Sequence, residues 1–111
     1  MDLNKEMIKG NIESVILSQL KEEDLYGYEI CKRIRDISEH TFEIKEGTLY
    51  IVLKRLEKNG MVQSYWNEAT DSGGGRRRYY RINEEGNRYL AERKQQWDFL
   101  KNMMDLFYKG V

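Results

Sequence analysis

The sequence predicts a mainly α-helical chain with one small β-hairpin, in the element order α-α-α-β-β-α. Apolar residues recur at helical spacing up to residue 60, two short runs rich in β-branched and aromatic residues follow, and helical spacing then returns. These three observations define the fold class. The chain has 111 residues and no proline, so one domain is expected, with helices that end at glycine or polar residues.

The first predicted helix covers Lys5–Leu20. Its stripe has the three- and four-residue spacing of an amphipathic helix and consists of Ile8, Ile12, Val15, Ile16, Gln19 and Leu20. An acidic segment then interrupts the pattern, and Asp24 is expected to cap a second helix that ends near Glu39. The apolar face of this second helix consists of Tyr26, Ile30, Ile34 and Ile37.

A third helix is expected over Glu46–Asn59, with Gly60 in the left-handed conformation that often ends a helix. Its inward stripe consists of Leu49, Val52, Leu53 and Leu56. Two strands are expected over Met61–Asn67 and Arg77–Asn83, because both runs are rich in β-branched and aromatic side chains. The segment between them, Glu68–Gly75, contains three successive glycines and indicates a flexible hairpin tip.

A final helix is expected from Glu84 to about Tyr108, because Asn83 is a suitable N-cap and two glutamates follow it. Apolar residues occur on two sides of this helix. The main stripe consists of Leu90, Arg93, Trp97, Leu100, Met104 and Tyr108, and the second side has Phe99, Met103 and Leu106. The first helix can cover one side, and a second subunit is the simplest cover for the other. The sequence therefore predicts a homodimer whose interface contains Leu90, Leu100, Met104 and Tyr108.

Composition excludes a membrane protein and gives little support to an enzyme. Charged residues make up 34% of the chain, and no apolar run approaches the roughly 20 residues that a membrane span requires. Cys31 and His40 are the only cysteine and histidine, and they lie on different predicted elements, so no metal site, cofactor or Cys-His pair is expected. The N-terminus lacks the apolar region of a signal peptide, and we expect a cytoplasmic protein.

The charge distribution indicates contact with phosphate at a few places. The net charge is zero, which by itself argues weakly against nucleic-acid binding. However, Asp71–Arg81 contains four arginines and one aspartate, whereas Lys21–Glu29 contains four acidic residues and one lysine. A local basic cluster on a neutral protein suits a small number of phosphate contacts.

The second and third predicted helices are joined by a short turn and are arranged like a helix-turn-helix. The side of the third helix opposite its apolar stripe carries Gly47, Ile51, Lys54 and Lys58, and Tyr50 flanks it. The candidate DNA-binding residues of this helix are Gly47, Thr48, Tyr50, Lys54 and Lys58. Glycine permits close approach to a nucleic-acid backbone, the hydroxyls can donate hydrogen bonds, and the lysines can meet phosphates. The alternative is a solvated face with intrahelical ion pairs, such as that of Lys54 with Glu57.

In the hairpin that follows this helix, three glycines precede the arginines Arg76, Arg77 and Arg78 near the tip. Guanidinium groups can fork onto phosphates or enter a narrow minor groove, and Arg76 and Arg77 are the candidate DNA contacts. A charge cluster that only supports solubility is the alternative. The succession of a helix-turn-helix and a basic hairpin predicts a winged helix-turn-helix, followed by a C-terminal dimerisation helix.

Trp97 lies in the middle of the stripe on the last helix, with Lys94 and Lys101 within about one turn of it. It is either a packing residue of the dimer or a platform on which a flat aromatic effector stacks. In the second case, Ile12 and Val15 of the first helix complete a site at the dimer centre. The two lysines favour neutral or anionic aromatic effectors over cationic ones.

Four motifs in this chain resemble the PadR family of bacterial transcriptional regulators. They are Tyr26–Ile30, Glu46–Tyr50, Leu53–Gly60 and Gly74–Tyr80. The similarity spans nearly the whole chain, and the single C-terminal helix resembles the short members of the family, including those that sense drugs. The resemblance implies a winged-helix homodimer, usually a repressor relieved by aromatic compounds or drugs. Some short members bind planar drugs at the dimer centre against a tryptophan of the last helix, and Trp97 lies at the matching position. Many members have proline after the Leu-Tyr pair, where this chain has Ile51.

Together these observations predict a dimeric DNA-binding transcriptional regulator, a repressor released by a small aromatic or drug-like effector. It is expected to bind a pseudo-palindromic operator in double-stranded DNA through residues 1–83, the winged-helix domain. Residues 84–111 are expected to form the dimerisation helix, within one structural unit. The alternative is a winged-helix protein-interaction module without specific DNA binding, which predicts no salt-dependent affinity for a duplex.

Overall fold

The computed structural model describes residues 3, 5–69 and 75–111 of the chain. In chain order the elements are α1 (Lys5–Ile8), α2 (Ile12–Gln19), β1 (Leu25–Tyr26), α3 (Gly27–Ile37), α4 (Glu46–Lys58), β2 (Val62–Ala69), β3 (Gly75–Ile82) and α5 (Glu84–Tyr108). The strands form one antiparallel sheet in the order β1-β3-β2, so the second strand of the hairpin is central. The predicted fold class is confirmed, with one short helix and one short strand added to the predicted order.

The prediction of one continuous first helix is wrong, because the chain breaks between α1 and α2. Gly10 has a left-handed backbone with a φ of 82°, a conformation that favours glycine. Its carbonyl oxygen accepts a hydrogen bond of 2.7 Å from Nη2 of Arg93 in α5. The break is therefore held by a residue 83 positions away in the chain, which a local apolar pattern does not reveal.

Asp24 does not cap α3, contrary to the prediction. Its Oδ2 accepts a hydrogen bond of 2.6 Å from the Tyr65 hydroxyl and one of 3.1 Å from Nε of Arg81. The N-cap position of α3 is instead Tyr26, which has an extended backbone. The carboxylate that the sequence assigned to the helix is therefore bound by two donors from the hairpin.

The limits of α3 follow from the strand before it and the turn after it. Leu25–Tyr26 forms β1 and pairs with β3 in an antiparallel register, so α3 begins only at Gly27. Glu39 and His40 have positive φ angles of 53° and 64°. These angles do not continue a right-handed helix, and α3 therefore ends before the predicted Glu39.

The hydrophobic core lies between α2, α3, α4 and one face of the sheet. Its buried residues are Ile16, Leu17, Leu20, Leu25, Ile30, Ile34, Ile44, Leu49, Val52, Leu53, Leu56, Val62 and Tyr80. All four residues of the inward stripe predicted for α4 are among them. Gly60, just after α4, has a φ of 75°, which confirms its predicted conformation.

The hairpin strands extend further towards the tip than predicted. Glu68 pairs with Arg76 and Ala69 with Gly75 in the antiparallel register of β2 and β3. The remainder of the predicted flexible tip, residues 70–74, lies outside the described residues. The hairpin of β2 and β3, here called the wing, is therefore a regular antiparallel ladder up to the last residues that the structure describes on each strand.

The last helix, α5, covers the predicted range. The side chain of Asn83 does not cap it but donates a hydrogen bond of 3.2 Å from Nδ2 to the carbonyl oxygen of Gly60. A Cβ at Gly86 would lie 2.3 Å from the carbonyl oxygen of Met61, so α5 crosses the chain before β2 in close contact. Its C-terminal part projects from the domain with strongly exposed apolar side chains. No helix in the described ranges combines the length and apolar character of a membrane span.

Candidate nucleic-acid interface

The exposed side of α4 is an open and basic surface. A Cβ added at Gly47 would meet no atom within 4 Å, and the Thr48 side chain beside it is exposed. Lys54 and Lys58 are also exposed, and neither forms a salt bridge with any carboxylate in the described ranges. Lys54 and Lys58 thus carry positive charges that no described carboxylate neutralises. They follow a helix start that a large ligand can approach closely.

The ion pair of Lys54 with Glu57, the alternative interpretation of this face, is not formed. Glu57 instead accepts a hydrogen bond of 2.6 Å from the Ser64 hydroxyl and pairs with Arg78 at 3.7 Å. The glutamate therefore links α4 to the hairpin and leaves the lysine free towards solvent.

Tyr50 occupies the flank of α4 that faces the start of α3. A Cβ at Gly27 would lie 2.4 Å from the Tyr50 hydroxyl oxygen and 2.8 Å from the adjacent ring carbon. Only glycine allows this contact, which packs the two helices of the helix-turn-helix together. Burial raises the pKa of the Tyr50 hydroxyl, and the protonated hydroxyl can donate a hydrogen bond.

The arginines of the wing lie on both faces of β3. Arg76 and Arg78 stack over the Trp66 ring, with guanidinium carbons 4.6 Å and 5.5 Å from its centroid. Arg77 stacks over the Tyr26 ring at 4.8 Å. The register explains the two contacts with Trp66, because Trp66 pairs directly with Arg78. Side chains alternate along a strand, so Arg76 lies on the same face as Arg78 and Arg77 on the opposite face.

These three arginines differ in whether a carboxylate neutralises their positive charge. Arg78 pairs with Glu57 and donates a hydrogen bond of 2.7 Å to the Ser64 hydroxyl. Arg76 and Arg77 stack on aromatic rings and pair with no carboxylate in the described part of the chain. Stacking restricts a guanidinium without neutralising it. Among the described residues of the wing, Arg76 and Arg77 therefore provide the unpaired positive charge.

A groove of about 350 Å³ separates α4 from the wing. Its lining residues are Tyr26, Tyr50, Trp66, Arg76, Arg77, Arg78 and Tyr80. The structure thus brings three of the predicted DNA-binding residues, Tyr50, Arg76 and Arg77, to one groove. The other four, Gly47, Thr48, Lys54 and Lys58, lie on the exposed side of α4.

Sequence reasoning missed the aromatic residues that hold the wing. The Tyr79 ring lies 5.5 Å from that of Tyr26 and 5.9 Å from that of Tyr65. Arg81 stacks over Tyr65 at 5.4 Å and pairs with Asp24 at 3.0 Å. Pairing the two predicted strands residue by residue would have placed Trp66 opposite Arg78, but the contacts with β1 need the folded topology.

A second cavity, of about 520 Å³, lies between α2 and α5. Its lining residues are Asn11, Ser14, Val15, Ser18, Lys21, Asn87, Leu90, Ala91, Arg93, Lys94 and Trp97. Its charged residues are all basic, and Lys94 also pairs with Asp98 at 2.6 Å. Two buried polar atoms, Oγ of Ser14 and Nε of Arg93, have no hydrogen-bond partner among the described residues.

This cavity contains part of the predicted effector site. Val15, Lys94 and Trp97 line it, whereas Ile12 packs against the core and Lys101 is exposed away from it. Of the predicted dimer contacts, Leu90 packs partly against the core of its own chain. Leu100 and Tyr108 are exposed by 46% and 61%, and Met104 is half-buried.

Within the described ranges, no group of three His, Cys, Asp or Glu side chains is placed to hold a metal ion. The single cysteine, Cys31, is half-buried beside the core. Burial raises the pKa of its thiol, and a protonated thiol is a poor nucleophile.

Comparison with known proteins connects this geometry to one family. The model of the PadR-like transcriptional regulator family matches residues 16–92. A transcriptional regulator from Clostridium thermocellum is 42% identical, with a TM-score of 0.84 over 96% of this chain and 98% of that one. A PadR family transcription regulator from Clostridium difficile is 43% identical, with a TM-score of 0.76 over 88% of this chain and 98% of that one.

The fold is also that of Bacillus subtilis PadR, which was solved in complex with operator DNA. The two chains are 19% identical, with a TM-score of 0.66 over 75% of this chain and 46% of that one. At this level of identity the likeness concerns the fold.

Proposed function

Because this chain belongs to the PadR-like family of transcriptional regulators, we propose that it acts as a dimeric repressor that binds a pseudo-palindromic operator in double-stranded DNA. In this proposal a small aromatic or drug-like effector releases the repressor. Residues 1–83 form the DNA-binding domain, and residues 84–111 form the dimerisation helix, as in a short, drug-sensing member of the family.

The unpaired cations on α4 and the wing are the observation that carries the DNA-binding proposal. Lys54 and Lys58 form no salt bridge within the described ranges, and Arg76 and Arg77 are stacked rather than paired. A stacked guanidinium keeps its N–H edge available for phosphate oxygens. The operator complex of Bacillus subtilis PadR, which has the same fold, supports DNA as the partner.

The arrangement of α4 and the wing defines the docking geometry that we propose. In a helix-turn-helix protein, the N-terminal residues of the recognition helix contact base edges. Gly47 and Thr48 therefore face the major groove, whereas Lys54 and Lys58 meet phosphates. Arg76 and Arg77 then lie against the flanking backbone or minor groove, and Tyr50 lines the groove between the two elements.

The exposed end of α5 supports the proposed dimer. Phe99, Leu106 and Phe107 are exposed by 74%, 75% and 74% on a helix that projects from the domain. A cluster of large apolar side chains on one projecting helix marks an interaction surface. In the proposed dimer the second subunit covers the main stripe of this helix, with Leu90, Leu100, Met104 and Tyr108 at the interface, as well as the second side that carries Phe99 and Leu106. The two copies of α4 then lie about 34 Å apart.

The cavity beside Trp97 supports the proposed effector site. Its volume of about 520 Å³ lies in the usual range for small-molecule sites. Lys21, Arg93 and Lys94 are its charged lining residues, which favours a neutral or anionic aromatic ligand over a cationic one. Since α5 also carries the proposed dimer interface, a ligand held against Trp97 is positioned to change the spacing of the two DNA-binding domains.

Fluorescence anisotropy with a duplex that the protein itself selects from a random pool tests the DNA-binding proposal. We expect two chains to bind each duplex, with an affinity that falls as the salt concentration rises. A chain that shows no salt-dependent affinity for any duplex would contradict the proposal and favour the protein-interaction alternative.

A further inference from the structure

One apolar side chain stands in the middle of the basic side of α4. Ile51 lies four residues after Gly47 and three residues before Lys54, so all three share one side of the helix. Its side chain is 68% exposed, whereas the adjacent Val52 is buried in the core. A large β-branched side chain therefore points away from the domain between an open glycine and an unpaired lysine.

Exposure alone does not distinguish Ile51, because single exposed apolar residues are common on protein surfaces. Ile37, at the end of α3, is exposed by 70%. The difference lies in the surroundings, since Ile51 is flanked on its own helix side by Gly47, Lys54 and Lys58, which the proposed function assigns to DNA.

The chemistry of the major groove supplies one apolar partner for such a side chain. Thymine presents a C5-methyl group there, which distinguishes it from the other three bases. Isoleucine in a helix is held largely in one χ1 rotamer, so its methyl groups have a defined position. The missing side chain at Gly47 lets the helix start approach the base edges closely.

We infer that Ile51 contacts the C5-methyl group of a thymine in each operator half-site and is a specificity-determining residue. The inference rests on the proposed function, because it requires α4 to enter the major groove. It adds a feature to the operator, namely a fixed thymine in each half-site, that the cationic contacts alone do not provide.

Replacement of thymine by uracil removes only the C5-methyl group and so tests this contact directly. Each thymine in one half-site of the selected operator is replaced in turn, and the affinities of the full-length protein are measured by anisotropy. For the wild type, one replacement is expected to weaken binding about fourfold, the effect of one buried methyl group. For Ile51→Ala, thymine and uracil are expected to bind equally at that position.

Two further variants make the result specific. Ile37→Ala removes an equally exposed isoleucine outside this surface and should keep the wild-type preference for thymine over uracil. Ile51→Val keeps a branched side chain and should retain part of the preference. Circular dichroism should show unchanged folding for all of them, since both isoleucines are exposed.

The outcomes separate this inference from the proposed function. If the wild type binds its operator with the same affinity whichever thymine is replaced by uracil, the role of Ile51 is overturned and DNA binding is left intact. A preference that persists in Ile51→Ala would also overturn it. Absence of salt-dependent binding to every duplex would instead contradict the proposed function.

Discussion

The guanidinium of Arg77 lies over the ring of Tyr26, with its carbon atom 4.8 Å from the ring centroid. Arg77 belongs to β3, whereas Tyr26 ends β1 and is the N-cap residue of α3. The contact therefore ties an arginine of the wing to the first helix of the helix-turn-helix. It holds the arginine in place without neutralising its charge.

Replacing Tyr26 with leucine is expected to weaken operator binding about two- to fivefold, because an exposed cation–π contact contributes roughly 0.5–1 kcal/mol. The effect should be strongly non-additive with Arg77→Ala in a double-mutant cycle, since each variant removes the same contact. Tyr26→Phe keeps the ring and should bind like the wild type. Equally weakened binding for leucine and phenylalanine, or fully additive effects with Arg77→Ala, would contradict a positioning role for the ring.

Substitution of three helical glycines by alanine is expected to change the stability of the fold by different amounts. Gly27→Ala drives a Cβ into the Tyr50 ring and Gly86→Ala drives one into the Met61 carbonyl, whereas the space at Gly47 is open. We expect Gly86→Ala to destabilise the fold most, by about 3 kcal/mol or more, because its obstacle is backbone. Gly27→Ala should cost about 1–2 kcal/mol, and Gly47→Ala should stabilise the fold by about 0.5 kcal/mol.

Urea unfolding followed by circular dichroism measures these three differences. In a Tyr50→Ala background, the penalty of Gly27→Ala should largely disappear, since the obstructing ring is gone. A penalty that is unchanged in that background would show that the Tyr50 ring is not its cause.

The hydrogen bond from Tyr65 to Asp24 predicts a dependence of stability on alkaline pH. This bond raises the pKa of the Tyr65 hydroxyl, whose ordinary value is about 10. The folded chain therefore holds the proton more tightly than the unfolded chain. The stabilisation is complete below the ordinary pKa and disappears as the pH rises through the raised one.

Between about pH 9 and 11, the thermal unfolding midpoint of the wild type should fall more steeply than that of Tyr65→Phe, which has no hydroxyl to ionise. Tyr28→Phe serves as the control, because Tyr28 is exposed and its hydroxyl donates no hydrogen bond within the described ranges. Parallel curves for the wild type and Tyr65→Phe would remove this hydrogen bond from the account of stability.

An effector in the cavity between α2 and α5 should be detectable by the fluorescence of Trp97. Trp66 also emits, so the measurement uses Trp66→Phe as the background. We expect a neutral or anionic aromatic compound to quench Trp97 and to lower operator affinity, and a cationic analogue of similar size to do so less. Quenching without any change in operator affinity would show that the cavity binds ligands but does not control DNA binding.

The sequence predicted the parts of the fold that depend on local periodicity. The buried stripe of α4 and the full range of α5 follow from apolar spacing, whereas the Asn83 side chain does not cap α5 as predicted. The break at Gly10 depends on Arg93, and β1 depends on its pairing with β3. A local pattern contains neither partner, so neither feature could be predicted from it.

The same distinction applies to the candidate interface. The basic character of α4 and the wing could be predicted, because it depends on residue type and on helical or strand spacing. The difference between the paired Arg78 and the stacked Arg76 and Arg77 could not be predicted, because it depends on which side chain each arginine contacts. Arg78 meets Glu57, whereas Arg76 meets Trp66 and Arg77 meets Tyr26.

The salt dependence of operator affinity in the double variant Arg76→Ala/Arg77→Ala tests the central claim most directly. If these arginines contact phosphates, the slope of log affinity against log salt concentration should flatten by about one unit for each phosphate that the variant no longer neutralises. Arg88→Ala, which removes an exposed arginine of α5 paired with Glu85, should leave the slope unchanged. A double variant with the wild-type slope would contradict the account, because its wing would then make no phosphate contact.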